Sequence, residues 1–183
     1  MGLNTTNEAP ITFVECTEAE HGMIILDILN HAIINSTALY DYQPRPPASM
    51  GPWFEAKRKG GYPVIGAVSA QGTLIGFASY GAFRAWPAYK YTVEHSVYVH
   101  HDHRGRGAGE SLLRQIILRA REQNYHVIVG GIDADNQASI RLHERLGFAH
   151  TGTIKQVGFK FGRWLDLSFY QLILATPSDP QDG

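Results

Sequence analysis

Val97-Tyr98-Val99, followed by the glycine-rich run Arg104-Gly105-Arg106-Gly107-Ala108-Gly109, decides the fold of this chain. The first three residues end an apolar strand pattern that begins at Tyr91, and an amphipathic helix pattern follows the run directly. A glycine-rich turn between a strand and a helix presents free backbone N–H groups at the positive end of the helix dipole, which favours a pyrophosphate. Arg104 and Arg106 can add charge-assisted contacts to such an anion.

Two common nucleotide-binding patterns fail at specific positions of this run. A Rossmann pattern needs a glycine where Glu110 or Leu112 stands, and a P-loop needs a Gly-Lys-Ser/Thr sequence, which the chain does not contain. The glycines could also do no more than shape a tight turn, but four small residues interleaved with two arginines exceed what a turn requires. The run therefore predicts an anion site of another type.

Periodicity on both sides of this run predicts the element order β-α-α-β-β-β-α-β-α-β-β. Thr17 and Glu20 have the spacing of a capping box at the start of the first helix. Hairpins combined with a strand–helix–strand crossover indicate an α/β (mixed α+β) fold, with a mixed sheet of about seven strands and helices on both faces. Strands are expected at 11–16, 63–69, 74–83, 91–99, 126–132, 148–159 and 164–174, and helices at 17–35, around 52–59, directly after Gly109, and at 137–146.

Composition limits the class of protein. The 183 residues suit one domain over 1–183, with an ordered core at about 10–175, and residues 1–9 and the tail from Pro177 are expected to be unstructured. Sixteen basic against seventeen acidic residues argue against a nucleic-acid partner. There is no secretory pattern and no apolar run near the ~20 residues of a membrane span, so a cytoplasmic protein is expected. The lone cysteine, Cys16, is expected to be a small core residue.

The glycine-rich run resembles the Arg/Gln-x-x-Gly-x-Gly/Ala signature of the GNAT superfamily, with Arg104, Gly107 and Gly109 in register. The likeness extends from about Ile11 to Leu174. Within it, three separate regions resemble the phosphinothricin and methionine sulfoximine acetyltransferases, namely 91–99, 136–148 and 158–166.

The resemblance implies that acetyl-CoA, without a metal, lies between two splayed strands that end near Val99 and Ile132. The backbone of Val97, Tyr98 and Val99 would run beside the pantetheine. The backbone amides of the following run would hold the pyrophosphate, and these are the amides of Arg104, Gly105, Arg106, Gly107, Ala108 and Gly109. Asn136 and Ser139 would contact the cofactor from the head of the next helix, although Asn136 is also a good N-cap.

Two candidate catalytic residues follow from the same resemblance. Glu94 matches the general base, which is required because an ammonium group cannot attack a thioester until it loses a proton. Without the family register, Glu94 would be read as a surface or salt-bridged residue. His143 stands where many members of the superfamily carry a tyrosine that protonates the departing thiolate, and it is equally suited to packing or hydrogen bonding.

Acceptor binding is expected to involve the region after the third strand. Arg84 would hold the substrate carboxylate, since a guanidinium donates two parallel hydrogen bonds, and Trp86, with Tyr89 and Phe83, would wall the pocket. Each of these residues could instead be an ordinary surface or core residue. The stretch 35–42 is expected to close over the substrate.

Four histidines, His95, His100, His101 and His103, crowd one short region. Because no cysteine or carboxylate has metal-ligand spacing to them, they are interpreted as surface or loop histidines and no metal is expected.

The resemblance thus implies an enzyme that acetylates the α-amino group of a small amino acid or analogue, such as phosphinothricin, methionine sulfoximine, methionine sulfone or methionine. Two alternatives remain open at this point: another amine acceptor (a polyamine, an aminoglycoside or a protein N-terminus), or a non-catalytic CoA-binding module. A homodimer is also expected, because Trp164, Phe169 and Tyr170 offer apolar area on the last strands.

Overall fold

The computed structural model describes residues 11–182, so the expected disorder of residues 1–9 lies outside the described residues. Its helices and strands agree with the predicted order and lie within a few residues of the predicted bounds. The elements are β1 (Thr12–Glu15), α1 (Glu18–Asn35), α2 (Met50–Gly60), β2 (Val64–Val68), β3 (Leu74–Ala82), β4 (Thr92–Val99), α3 (Ala108–Glu122), β5 (Val127–Asp133), α4 (Gln137–Arg145), β6 (Ala149–Lys160) and β7 (Arg163–Ile173).

The seven strands form one mixed sheet in the order β1-β2-β3-β4-β5-β7-β6. All neighbouring strands are antiparallel except β4 and β5, which α3 connects as a crossover. The α/β fold with a seven-stranded mixed sheet is therefore confirmed.

Helices cover both faces of the sheet. On one face, α1 and α2 pack their apolar residues against Val64, Leu74 and Phe77. On the other face, α3 packs Leu112 and Ile116 into the larger core, and apolar residues of α4 join it there. Alternation along β4 consequently directs even-numbered side chains to the α1 face and odd-numbered side chains to the α3 face.

The start of α1 has half of the predicted capping box. The backbone N–H of Glu20 donates to Thr17 Oγ1 at 3.2 Å, as expected of an N-cap. The backbone N–H of Thr17, however, donates to His21 Nδ1 at 3.1 Å rather than to the Glu20 carboxylate. A histidine one residue further along the helix thus completes the cap.

The chain after β7 has no helix or strand up to residue 182, but it is held to the sheet. Thr176 Oγ1 donates to the Tyr125 carbonyl, and the backbone N–H of Gln181 donates to the Tyr91 hydroxyl at 3.0 Å. The tail from Pro177 therefore has no regular secondary structure, and Gln181 within it contacts the residue that precedes β4. No helix among residues 11–182 has the length and apolar character needed to cross a membrane.

Candidate active site

The parallel strands β4 and β5 separate shortly after they meet. They pair with each other only from Thr92–Val127 to Glu94–Val129. Beyond these residues β4 continues to Val99 beside β3, and β5 continues to Asp133 beside β7. A cleft of about 610 Å³ opens where they part. Residues from six parts of the fold line it: the end of α1 with the loop that follows, β4, the glycine-rich loop, β5, α4 and β7.

The glycine-rich loop leads into α3 at one end of this cleft. Gly105 and Gly107 have φ values of +76° and +79°, which side chains rarely tolerate, and Gly107 is the N-cap of α3. The Arg104 guanidinium donates to the Val99 carbonyl at 3.2 Å, so this arginine ties the loop to the end of β4. These contacts leave the first N–H groups of α3 free for an anion.

The loop's residues differ in how they meet the cleft. Arg104 and Gly109 line it. Ala108 is 2% exposed and packs into the α3 core, so only its backbone can face a ligand. Arg106 is exposed and does not line the cleft, so the structure does not place this arginine where the sequence suggested.

Glu94 lies on the α1 face of β4, where the two strands begin to part. Its carboxylate reaches over Gly131 of β5, and a Cβ there would lie 3.2 Å from Glu94 Oε1. Burial raises the pKa of Glu94, and the charge of Arg84 opposes that rise. A half-buried carboxylate with a raised pKa, facing a cleft, has the properties of a general base.

Arg84 and Trp86 lie outside the cleft that contains Glu94. The Arg84 guanidinium donates to the Phe83 carbonyl at 2.8 Å and stacks on the Phe83 ring at 4.2 Å. With Phe83 and Tyr89 it borders a neighbouring pocket of about 550 Å³, whose floor includes Val129 next to Glu94. Trp86 is 70% exposed and lines neither cavity, so its place in the acceptor pocket stays a prediction.

The loop after α1 forms one wall of the cleft, and a buried lysine holds it. Residues 36–40 all line the cleft. Lys160, at the end of β6 and 4% exposed, donates to the carbonyls of Ile33, Ser36 and Leu39 at 2.6, 3.0 and 2.6 Å. The only hint of this clamp in the sequence is a lysine between Phe159 and Phe161 on a strand pattern.

The head of α4 forms the opposite wall. Asn136 Oδ1 accepts from the backbone N–H of Ser139 at 3.1 Å, so Asn136 is an N-cap, and both residues also line the cleft. His143 is buried and lines the cleft as well. Its Nδ1 lies 2.7 Å from the Ser139 carbonyl, and its Nε2 lies 3.0 Å from Nε2 of His95.

His95 is therefore not a surface histidine, contrary to the sequence interpretation. It points from β4 toward α4, on the face opposite to Glu94, and burial lowers its pKa to about 3, with a further contribution from His143. Sequence alone could not reveal the contact, since 48 positions separate the two rings.

Asp133, at the end of β5, is a further buried group that the sequence did not reveal. Its side chain is 2% exposed. Oδ1 accepts from the backbone N–H of Asp135 at 2.9 Å, whereas Oδ2 lacks a hydrogen-bond partner among the described residues and lies 4.0 Å from the Arg163 guanidinium. Asp133 thus lines the cleft with a buried oxygen whose hydrogen-bonding capacity is not used by the described residues.

The remaining histidines of the crowded region lie near a carboxylate after all. Ligand atoms of His100, His101 and Asp102 come within 4.8 Å of one another. The His100 and His101 rings stack at 4.2 Å, and His31 stacks on the other side of His101 at 4.0 Å. Stacked imidazoles direct their in-plane lone pairs alongside one another rather than toward one point, which does not favour a shared metal.

Comparison with known proteins agrees with this arrangement. Residues 29–148 match the model of the acetyltransferase (GNAT) family. An L-methionine sulfoximine/L-methionine sulfone acetyltransferase of Pseudomonas paraeruginosa is 50% identical over 150 residues, which cover 82% of this chain and 87% of that protein. An L-amino acid N-acyltransferase of Escherichia coli K12 is 46% identical over 156 residues, covering 85% and 90%.

Solved structures share the whole fold. A provisionally named acetyltransferase of Acinetobacter baylyi ADP1 superposes with a TM-score of 0.95 at 60% identity, covering 98% of this chain and all of that one. A phosphinothricin acetyltransferase of Sinorhizobium meliloti, solved in complex with acetyl-CoA, superposes with a TM-score of 0.87 at 33% identity, covering 93% and 92%.

Proposed function

This chain belongs to the acetyltransferase (GNAT) family, and on that basis we propose that it transfers the acetyl group of acetyl-CoA to the α-amino group of a small amino acid or amino-acid analogue. The observation that carries the proposal is the Glu94 carboxylate, half-buried where β4 and β5 part, in a cleft that also contains the glycine-rich loop. Relatives named for methionine sulfone, methionine sulfoximine and L-amino acids support the acceptor class.

The cofactor is proposed to enter the cleft from the α3 end. Free amides of the loop 104–109 would hold its pyrophosphate, with Arg104 adding positive charge. Val97–Val99 pair with β3 on one side only, and on the side where β5 has separated their edge would align with the pantetheine amides. Asn136 and Ser139 would contact the same arm from α4.

Glu94 is proposed to remove a proton from the acceptor ammonium, directly or through a water. The amine lone pair then forms the new C–N bond at the thioester carbon, and the C–S electron pair leaves with sulfur. Of the two protons that the nitrogen loses, one leaves through Glu94 and one ends on the CoA thiolate. The raised pKa of Glu94 makes its carboxylate a stronger proton acceptor than an exposed glutamate.

His143 is proposed to act at the thioester end of the same cleft, on the α4 wall. Both of its ring nitrogens are engaged by protein atoms, the Ser139 carbonyl and the His95 ring. Whether His143 can serve the thiolate as a proton donor therefore depends on which of these nitrogens carries hydrogen.

Arg84 is proposed to attract the acceptor carboxylate from the neighbouring pocket. Its charge acts on the pKa of Glu94, and it borders the pocket that is lined by Val129, the strand partner of Glu94. Phe83 and Tyr89 on the same pocket wall suit an apolar side chain such as that of methionine sulfone. An α-amino acid placed here would direct its amine to Glu94 and its carboxylate to Arg84.

The direct test is release of CoA thiol from acetyl-CoA in the presence of candidate acceptors. We expect release with methionine sulfone, methionine sulfoximine or phosphinothricin, and little with the Glu94→Gln variant. Release only with polyamines, aminoglycosides or a peptide N-terminus would move the acceptor to another class. Stabilisation by acetyl-CoA without thiol release for any amine would identify a non-catalytic binding module.

We further propose that the chain forms a homodimer through the β6–β7 hairpin. Tyr170 cannot contribute, contrary to the sequence expectation, because it is 5% exposed and packs in the core. Other apolar side chains toward the turn of the hairpin are exposed, as is typical of residues that a partner covers: Ile154, Val157, Phe159, Phe161 and Trp164. Light scattering should give twice the chain mass of 20.3 kDa, and a monomer mass at micromolar concentration would rule the dimer out.

A further inference from the structure

The rings of His95 and His143 meet across the backbone of Gly130. Their Nε2 atoms lie 3.0 Å apart, and their planes are inclined by 22°. A Cβ on Gly130 would lie 2.8 Å from Nε2 of His95 and 3.2 Å from Nε2 of His143, so a glycine is needed beneath the pair. Phe148 packs edge-on against both rings. The contact is thus enclosed on several sides.

The hydrogen positions of the pair follow from its partners. A carbonyl oxygen can only accept, so Nδ1 of His143, 2.7 Å from the Ser139 carbonyl, carries a hydrogen. In a neutral imidazole the other nitrogen is then a bare acceptor. The 3.0 Å bond must therefore be donated by Nε2–H of His95, whose Nδ1 is left without hydrogen and has no partner among the described residues.

The surroundings oppose a charge on either ring. Neither imidazole has an ion pair within residues 11–182. The groups that contact the rings are Phe148, Ser139 of α4 and Tyr170 of β7, whose ring lies 6.5 Å from that of His143. Burial lowers the pKa of both histidines, while the Ser139 bond opposes this effect at His143. Two positive rings at 3.0 Å would also repel each other strongly.

We propose that His95 is a positioning residue that holds His143 uncharged and in the tautomer with hydrogen on Nδ1. This proposal concerns how the site proposed above works, and it rests on that function only for its kinetic consequence. His143 then enters the reaction as a neutral group whose two nitrogens are already engaged. In the resting enzyme His143 is therefore not protonated to an imidazolium, and it cannot act as the general acid for the thiolate.

The protonation state can be read without measuring activity, by two-bond ¹H–¹⁵N correlation spectra of the ¹⁵N-labelled full chain. His143→Gln and His95→Phe spectra assign the two rings among the nine histidines. In the unmodified protein we expect the hydrogen of His143 on Nδ1 and that of His95 on Nε2, with no titration of either ring between about pH 5.5 and 8.5. A wild-type His143 that titrates in this range, or that carries its hydrogen on Nε2, would overturn the proposal.

The His95→Phe variant keeps a ring over Gly130 but removes the donor. Nε2 of His143 is then free, and we expect His143 to titrate and the thiol-release rate to gain an acid limb, with about a tenfold loss one pH unit below the new pKa. His95→Gln, whose amide can donate to Nε2, should engage this nitrogen again, keep His143 uncharged and remove that limb. Unchanged spectra and pH profile in a folded His95→Phe variant would refute a positioning role.

The two proposals can fail separately. If no acceptor releases thiol, the proposed function fails while the spectra still report on the pair. If thiol is released but His143 titrates normally beside an intact His95, the enzyme assignment stands and the positioning role is lost.

Discussion

Replacing Lys160 with methionine should loosen the loop that forms one wall of the cleft. The ammonium of Lys160 is buried and donates to three carbonyls at and beyond the end of α1, those of Ile33, Ser36 and Leu39. The last turn of α1 has no basic residue of its own, so this lysine supplies the positive charge that a helix C-terminus favours. Methionine fills a similar volume without any donor.

The magnitude follows from the three bonds. A buried acceptor that loses its partner costs about 1–3 kcal/mol, so three carbonyls give about 3–9 kcal/mol. Two effects reduce this sum: the unfavourable burial of the ammonium disappears, and water can reach a loosened loop. We therefore expect the lower end, about 3 kcal/mol of unfolding free energy, or a drop in Tm of roughly 6–12 °C for a chain of this size.

The assay compares thermal unfolding of Lys160→Met with that of Lys155→Met, which removes a lysine of the same strand. Lys155 is 74% exposed and pairs with Asp166 at 2.8 Å, and a surface ion pair contributes at most about 1 kcal/mol. KM for acetyl-CoA and for the acceptor should rise only in Lys160→Met, because residues 36–40 line the cleft. Equal Tm values for the two variants would refute the clamp.

Three further predictions concern the chemistry and its ligands. Glu94→Gln should lower kcat by about 10²–10⁴-fold with little change in acetyl-CoA binding. In the wild type kcat/KM should fall as the pH drops through the raised pKa of Glu94. The activity of the variant should recover with rising pH, and full activity of the variant at neutral pH would remove Glu94 from the mechanism. Gly109→Ala adds a Cβ with ordinary contacts of 3.6 and 3.7 Å to Val99 and Leu142, so the fold should persist. Acetyl-CoA binding, measured by calorimetry, should weaken roughly tenfold, which is about 1.4 kcal/mol. Unchanged affinity would move the phosphate site elsewhere. Arg84→Ala should raise KM steeply for methionine sulfone and little for its decarboxylated amine; equal losses for both acceptors would place the carboxylate anchor elsewhere.

Local signals predicted most of the fold. The strand pattern up to Val99, the glycine-rich run and the helix stripe after it are encoded within about thirty consecutive residues, and β4, the loop and α3 lie where they predicted. The N-cap at Asn136 is local in the same way. Glu94 faces the cleft because strand alternation and the separation of β4 from β5 together set its direction.

The features that sequence reasoning missed depend on contacts between distant residues. Lys160 meets the end of α1 across more than 120 positions, and nothing in a strand pattern indicates which carbonyls a buried lysine will find. His95 looked like one more histidine of a polar cluster, because its partner lies on a helix far along the chain. The exposure of Trp86 could not be predicted for a different reason, since an aromatic residue in a loop can turn to solvent without breaking any pattern.

The paired glycines of β5 bear on how this chain could be engineered. Gly130 leaves room for the histidine pair on one face of the sheet, and Gly131 leaves room for the Glu94 carboxylate on the other. Glycine inside a strand costs roughly 0.5–1 kcal/mol relative to alanine, so both positions would be attractive targets in a thermostabilisation campaign. An alanine Cβ at Gly130 would lie 2.8 Å from Nε2 of His95, so selection for melting temperature would itself reject that change. At Gly131 the nearest atom is Oε1 of the flexible Glu94 side chain, at 3.2 Å, so a library selected for melting temperature alone would accept alanine there and displace the carboxylate that the proposed reaction needs.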